Sequence, residues 1–148
     1  MLTLTSGRSI ASLRPPFLDA IPWLHHAVGR PLPRLAEVHP GPPGGGRWVG
    51  LASVPVMAIR GTAGSADRAA DFLPRRGHEP ADWRWRWTRL EAAARRQAIL
   101  PPIQVLKTGD EYWVIDGHNR VALARETGQV WIDADVTEVD LPPPPEAG

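Results

Sequence analysis

The pattern of hydrophobic and polar residues becomes regular only after the first third of the chain. It predicts a strand at 54–59, a helix at 79–97, a β-hairpin from 103–107 and 112–115, a helix from Asp116 to Arg125 or Glu126, and a strand at 130–136. The elements therefore follow one another in the order strand, helix, hairpin, helix and strand.

Individual residues support these elements. Pro55 restricts the first strand to an edge or a strand start, because it has no backbone N–H to donate. Trp83, Trp87, Leu90 and Ala94 recur at helical spacing and predict one buried helix face. Gly128 is suited to end the second helix.

The ends of the chain differ in composition from the centre. Residues 1–47 form an extension and linker rich in Pro and Gly, and within it residues 17–24 predict a short amphipathic segment that packs on the domain or on a partner. Residues 48–140 form the predicted domain. Residues 141–148 contain four consecutive prolines and predict a disordered tail.

Composition excludes several classes of function. The chain has no cysteine, which excludes disulfides, thiol catalysis and Cys-based metal sites. The net charge of +1 provides no global attraction to nucleic acid. No apolar run approaches the ~20 residues that cross a bilayer, so we expect a cytoplasmic protein without a membrane partner.

The turn Asp116-Gly117-His118-Asn119-Arg120 is suited to binding an anion. A strand that passes directly into a helix leaves the first helical amides without internal partners, and the helix dipole adds positive charge there. Gly117 allows close backbone approach, Arg120 offers a planar fork for phosphate oxygens, and His118 adds a donor or proton carrier. The pattern predicts a phosphate site.

A simpler interpretation fits the same five residues. Asp116 is then a helix N-cap, and the three residues after Gly117 are solvated positions of the first turn. A carboxylate also disfavours an anion nearby, unless it binds a metal ion, a ribose hydroxyl or Arg120. Spacing alone leaves both interpretations open.

Three parts of the chain resemble the ParB/sulfiredoxin superfamily: residues 100–105, 112–124 and 132–136. Residues 54–59 and 72–75 resemble small bacterial ParB-N-terminal-like proteins of unassigned role. The resemblance implies an α+β domain, with a small mixed sheet and helices packed on it. In this family the turn binds nucleotide phosphates, with CTP in ParB members, ATP in sulfiredoxins and ADP in free serine kinases. Mg²⁺ is expected to bridge those phosphates.

Departures from the family patterns narrow the expected activity. Sulfiredoxin chemistry needs a cysteine in the motif, so that activity is excluded. We expect no centromere-binding clamp, because the Gly-Glu-Arg-Arg turn, the second nucleotide motif and the DNA-reading domain of partition ParB proteins have no counterpart here. The turn resembles the Asp-Gly-His-His-Arg motif of serine kinases, with Asn119 in place of the second histidine.

The serine-kinase resemblance implies a catalytic carboxylate near the first strand. Asp67 is the candidate, with Glu37 less plausible, and Asp116 and His118 complete the candidate catalytic set. A nucleotide-dependent phosphotransferase or hydrolase is therefore expected, with the reaction and its acceptor left open. The loop 61–65 and its neighbour add candidate phosphate ligands, or form an ordinary surface loop: Gly61, Thr62, Ser65 and Arg68.

The predicted 79–97 helix supports an alternative function. Cations interleaved with aromatic rings hold single-stranded nucleic acid, although Glu79, Asp82 and Glu91 dilute the charge. The alternative is a DNA-binding accessory protein related to chromosome-partitioning ParB, with candidate contacts at Arg84, Trp85, Arg86, Arg95 and Arg96. An interaction scaffold that uses residues 17–24 is a third hypothesis, and a homodimer is compatible with all three.

No metal site is predicted. The histidines outside the turn lack partners at ligand spacing. Asp133 and Asp135 share one strand face, which we interpret as the exposed face of an edge strand.

Overall fold

The computed structural model describes residues 30–42, 44–75 and 77–141. Its elements, in chain order, are the short helix α1 (Leu35–Val38), strand β1 (Gly46–Pro55), a 3-10 helix (Val56–Ala58), strand β2 (Ile59–Thr62), helix α2 (Trp83–Arg95), strands β3 (Ile103–Thr108) and β4 (Glu111–Asp116), helix α3 (His118–Glu126) and strand β5 (Trp131–Val139). The amphipathic segment predicted at 17–24 and residues 142–148 of the predicted tail lie outside the described residues.

The five strands form one mixed sheet in the order β1-β5-β3-β4-β2. Strands β1 and β5, and strands β3 and β4, pair antiparallel; β5 with β3 and β4 with β2 pair parallel. The predicted α+β class is confirmed. Because β5 lies inside the sheet, the prediction that Asp133 and Asp135 belong to an edge strand is wrong, although Asp133 is exposed.

The predicted strand at 54–59 is also wrong. Pairing with β5 extends β1 back to Gly46, within the Pro/Gly tract, where Gly46 pairs with Val139. Pro55 ends the strand, and the chain then turns through the 3-10 helix, where the Val56 amide donates to the Val130 carbonyl at 2.9 Å. The apolar run is continuous because Val54, Val56 and Ile59 are all buried, not because they share one strand.

This turn forces the sheet to curl. In a flat sheet, four strand spacings would separate β1 from β2 by about 19 Å. Only four residue steps join Pro55 to Ile59, and they span at most about 14 Å. The two edge strands therefore approach each other at this corner.

The core lies on the concave side of the sheet, beneath α2 and α3. Trp83 and Trp87 are buried and Leu90 and Ala94 are partly buried against them, which confirms the predicted face of α2. From α3, four consecutive residues are buried, at positions 121–124. The predicted hairpin is also confirmed, with Thr108 opposite Glu111 across a two-residue turn.

Residues 31–35, which the sequence assigned to the extension, cover the outer edge of β2, opposite its partner β4. Leu32 and Leu35 are buried, and the Leu32 amide donates to the Arg68 carbonyl at 2.9 Å. The Thr62 amide donates to the Pro33 carbonyl at 2.9 Å. This contact requires glycine at position 61, since a Cβ there would lie 2.1 Å from the Pro33 oxygen.

We expect Gly61→Ala to displace residues 31–35 from the sheet and to lower the free energy of unfolding by about 1–3 kcal/mol, the usual range for overpacking. Gly45→Ala is the matched control, because its Cβ would meet nothing within 4 Å. Urea denaturation of both variants measures the difference. Equal stabilities would contradict the contact.

Candidate functional site

The β4–α3 turn leaves three backbone amides free of helical partners. Asp116 ends β4, Gly117 takes a left-handed conformation with φ 109° and ψ 24°, and the first helical bond runs from the Val121 amide to the Gly117 carbonyl at 3.0 Å. No side chain within the described residues caps this helix. The N–H groups of residues 118–120 therefore carry the positive end of the helix dipole without a cap.

Gly117 is required by the fold whether or not a ligand binds. Its φ is disfavoured for any residue with a side chain. A Cβ at this position would also lie 2.5 Å from Cγ2 of Ile103. The turn thus packs directly on the start of β3.

The pairing of β2 with β4 brings the candidate loop to this turn. The strands run parallel, so Thr62 at the end of β2 and Asp116 at the end of β4 lie at the same edge of the sheet. The Thr62 hydroxyl lies 2.9 Å from Nε2 of His118. Ligands in α/β proteins bind at such carboxyl ends of strands.

Hydrogen bonds around Thr62 fix the state of His118. The buried hydroxyl donates to the Val114 carbonyl at 3.2 Å and accepts from the Gly64 amide at 3.1 Å. Because its one proton is used, Nε2 of His118 must donate to it, and Nδ1 carries the lone pair. Burial and then the Arg68 charge lower the pKa of His118 to about 4, against a smaller opposing effect of Asp116, so the ring is neutral at pH 7.

Arg68 contacts the first turn of α3 through Asn119. Its Nη1 donates to Oδ1 of Asn119 at 2.6 Å and to the Phe72 carbonyl at 2.8 Å, and its guanidinium lies 5.5 Å from the Trp83 ring centre. Burial, then the charge of Arg86, lowers the pKa of Arg68 to about 10. Arg68 therefore stays charged at neutral pH in a partly dry setting.

The guanidinium of Arg120 is already occupied by hydrogen bonds within the protein. It donates to the carbonyls of Pro101 and Pro102 and, at 3.1 Å, to Oδ2 of Asp116. These bonds tie α3 to the segment that leads into β3. The carboxylate of Asp116, 69% exposed, pairs with Arg120 and does not cap the helix.

The other residues predicted for phosphate binding or catalysis differ in their exposure to solvent. Gly61 is buried under Pro33, and Ser65 is exposed on the loop beyond Thr62. Asp67 is exposed and forms an ion pair with Arg75 at 3.4 Å.

The nucleic-acid candidates share one exposed side of α2. Trp85 is 60% exposed, and the Arg89 guanidinium stacks 4.6 Å from its ring centre. Arg84, Arg95 and Arg96 are exposed. Arg86 forms an ion pair with Asp82 at 2.7 Å.

Two charged residues near the site were not singled out from the sequence. Arg125 donates to the Ala70 and Ile59 carbonyls, and its pKa is lowered by burial. Asp71 is buried, accepts from the Leu73 amide at 3.1 Å and acts electrostatically on Arg68 and Arg125. The sequence offered one signal that could have identified Arg125, namely its position one helical turn after the buried Val121.

A separate cavity of about 360 Å³ lies on the far side of α3. Leu100, Leu123 and Ile132 contribute its apolar wall, and Arg120 and Asp133 contribute polar groups. Within the described residues, no group of three or more His, Asp or Glu side chains is arranged to hold a metal ion. No helix in those ranges is long and apolar enough to cross a bilayer.

His118 and Glu126 predict opposite dependences of stability on pH. Because the pKa of His118 is lowered in the fold, stability is lost as the pH falls from 6.5 toward 4. Burial and then Glu91 raise the pKa of Glu126 to about 7, and its Oε2 is buried without a hydrogen bond. Protonation of Glu126 is therefore favoured in the fold, and stability is gained as the pH falls from 7 to 4.5.

Single variants separate the two effects. In Glu126→Gln, the free energy of unfolding should fall by about 1–2 kcal/mol between pH 7 and pH 5, because only the His118 effect remains. In His118→Gln, it should fall less or rise over the same interval. Urea denaturation at both pH values gives the comparison, and identical changes in the two variants would contradict these pKa shifts.

Comparison with known proteins gives a distant similarity of fold. The structure is similar to the crystal structure of sulfiredoxin from Arabidopsis thaliana, with 17% sequence identity and a TM-score of 0.43 over 61% of this chain and 86% of that chain. No protein-family model and no curated protein matches the chain.

Proposed function

We propose that this protein binds the phosphate groups of a nucleotide at the β4–α3 turn. The observation that carries the proposal is the uncapped start of α3, where the amides of His118, Asn119 and Arg120 follow a left-handed glycine. Such amides, together with the helix dipole, favour an anion without any rearrangement of the backbone.

Arg68, rather than Arg120, is the cation that we assign to the ligand. Arg120 already donates to two carbonyls and to Asp116, so contact with a phosphate would cost it those bonds. Arg68 is held beside Asn119, where its charge adds to that of the helix terminus. The exposed Ser65 hydroxyl extends the same site across the end of β2.

Magnesium would enter this site with the nucleotide. Mg²⁺ keeps several water ligands and is commonly bound by phosphates with one or two carboxylates, so a cluster of protein ligands is not required. Asp116 is the exposed carboxylate beside the turn and fits that role once it leaves Arg120.

His118 fits proton transfer better than phosphate binding. Its Nε2–H is used by Thr62, and the neutral ring offers only the Nδ1 lone pair, which an anion would not contact favourably. If the protein is a phosphotransferase or hydrolase, Nδ1 is the atom that takes a proton from the attacking hydroxyl or water. Asp67 would have to leave Arg75 to take part.

Asn119→Asp separates ligand binding from folding. A carboxylate at this position accepts from Arg68 and lies at the positive end of the helix dipole, so we expect equal or higher stability, by about 0.3–1 kcal/mol. The same charge repels a phosphate, so nucleotide affinity should fall about tenfold or more. Thermal shifts with CTP, ATP and ADP, with and without Mg²⁺, measure both quantities.

Arg47→Gln, which changes an exposed arginine on β1, is the matched control and should bind as the native chain does. A native chain that responds to none of the three nucleotides, or an Asn119→Asp variant with unchanged affinity, would overturn the proposal.

Nucleic-acid binding by α2 is a second candidate function. It is favoured by the exposed Trp85 with Arg89 stacked on it, on the same side of the helix as Arg84, Arg95 and Arg96. An aromatic ring among exposed cations offers stacking to a base and contacts to phosphates. Arg86 is paired with Asp82 and contributes less.

Salt dependence tests this second function. A variant with Arg84, Arg95 and Arg96 changed to Gln should bind single-stranded DNA more weakly, and its plot of log affinity against log salt should be shallower by about 2. A triple Gln variant at Arg30, Arg47 and Arg75 is the matched control. Equal salt slopes in the two variants would exclude α2 as the contact.

A further inference from the structure

The outer edge of β1 is an unpaired strand of unusual length. The strand runs for ten residues, from Gly46 to Pro55, and pairs with β5 on one side only. No strand in the described ranges pairs with its other side. Natural sheet edges are usually shortened, charged or covered, because exposed N–H and C=O groups pair with other strands.

The side chains of this edge are apolar rather than protective. Trp48, Val49 and Leu51 are 69%, 51% and 72% exposed. Arg47 is the only charged residue of the strand, and its guanidinium lies 3.2 Å from Glu138 on β5. The edge therefore presents apolar surface without an uncompensated charge.

From this edge we infer that two copies of the chain associate through antiparallel pairing of β1 with β1. Such an interface is isologous, because the same strand serves both copies about a two-fold axis. Antiparallel pairing places the two Arg47 side chains at opposite ends of the joint ladder, where they do not repel each other. The result is a continuous ten-stranded sheet.

Charge excludes the other arrangement of two copies, in which the open faces of their sheets stack. The open face of the sheet beside β1 carries Trp48 and Trp131, but also Asp133 and Asp135 on the neighbouring strand. The Trp48 indole N–H donates to the Asp135 carboxylate, so that side chain lies within the face. Stacking two such faces would bring four carboxylates together, whereas edge pairing leaves them in water.

The available surface fits a weak dimer. The outward N–H and C=O groups of the ten-residue strand supply the new ladder, and Val49 and Leu51, which are 51% and 72% exposed, supply apolar contacts. Trp48 stays on the open face against Asp135 and adds little to the contact. A contact of one strand pair is small for a specific interface, which predicts weak association.

Sedimentation of the full chain from about 1 to 200 µM tests the pairing. We expect a monomer–dimer equilibrium that Leu51→Lys weakens about tenfold or more, since each copy loses an apolar contact of the dimer and gains a charge along the joint ladder. Ile99→Lys is the matched control, because Ile99 is 98% exposed between α2 and β3. A chain that is monomeric throughout, or a Leu51→Lys variant that dimerises as the native chain does, overturns the inference.

Disulfide cross-linking distinguishes the edge from the face. The chain contains no cysteine, so each single substitution reports only on its own position. Oxidation should link copies through Val49→Cys, Leu51→Cys or Ser53→Cys, and the position that reacts gives the register. Cross-linking through Asp133→Cys with none along β1 would show that the faces stack and would overturn edge pairing.

Discussion

The short connection between Pro55 and Ile59 constrains the whole domain. It joins the two strands that lie at opposite edges of the sheet, so the sheet can form only if it curls. The curl encloses the core beneath α2 and α3, and it sets β2 parallel to β4. The ends of those two strands then lie side by side, and the candidate site is built where they meet.

Arg68 joins the parts of that site. One guanidinium contacts the start of α3 through Asn119, the loop before α2 through the Phe72 carbonyl, and α2 itself through the Trp83 ring. Partial burial strengthens its field, and the same field helps to keep His118 neutral. Cation and base are therefore coupled, because moving Arg68 away would raise the pKa of His118, which burial still lowers.

The proposed nucleotide site and the proposed β1 contact use separate surfaces. The free amides of α3 lie beyond the carboxyl ends of β2 and β4, whereas β1 meets β2 at the other end of β2, next to Ile59. A dimer formed through β1 would leave both nucleotide sites open and place the two copies in one sheet. Nucleotide binding and self-association can therefore be tested one at a time.

Local chemistry was enough to predict several elements. The helical spacing of Trp83, Trp87, Leu90 and Ala94 predicted the buried face of α2, and the turn between Thr108 and Glu111 predicted the hairpin. The segment at 54–59 was predicted wrongly, because an apolar run shows burial but does not show the direction of the chain. Whether Val54 and Ile59 share a strand depends on partners that lie far away in sequence.

The sequence by itself determined the hairpin, the buried stripe of α2 and the strand-to-helix turn at Gly117. Each of these depends on residues a few positions apart, whose preferences act locally. Only the tertiary structure decided that Arg120 bonds to the Pro101 and Pro102 carbonyls while Arg68 bonds to Asn119, that Thr62 sets the tautomer of His118, and that β5 is internal. Those outcomes depend on contacts between residues 18 to 93 positions apart, because the partner of a long polar side chain is chosen by the packing around it.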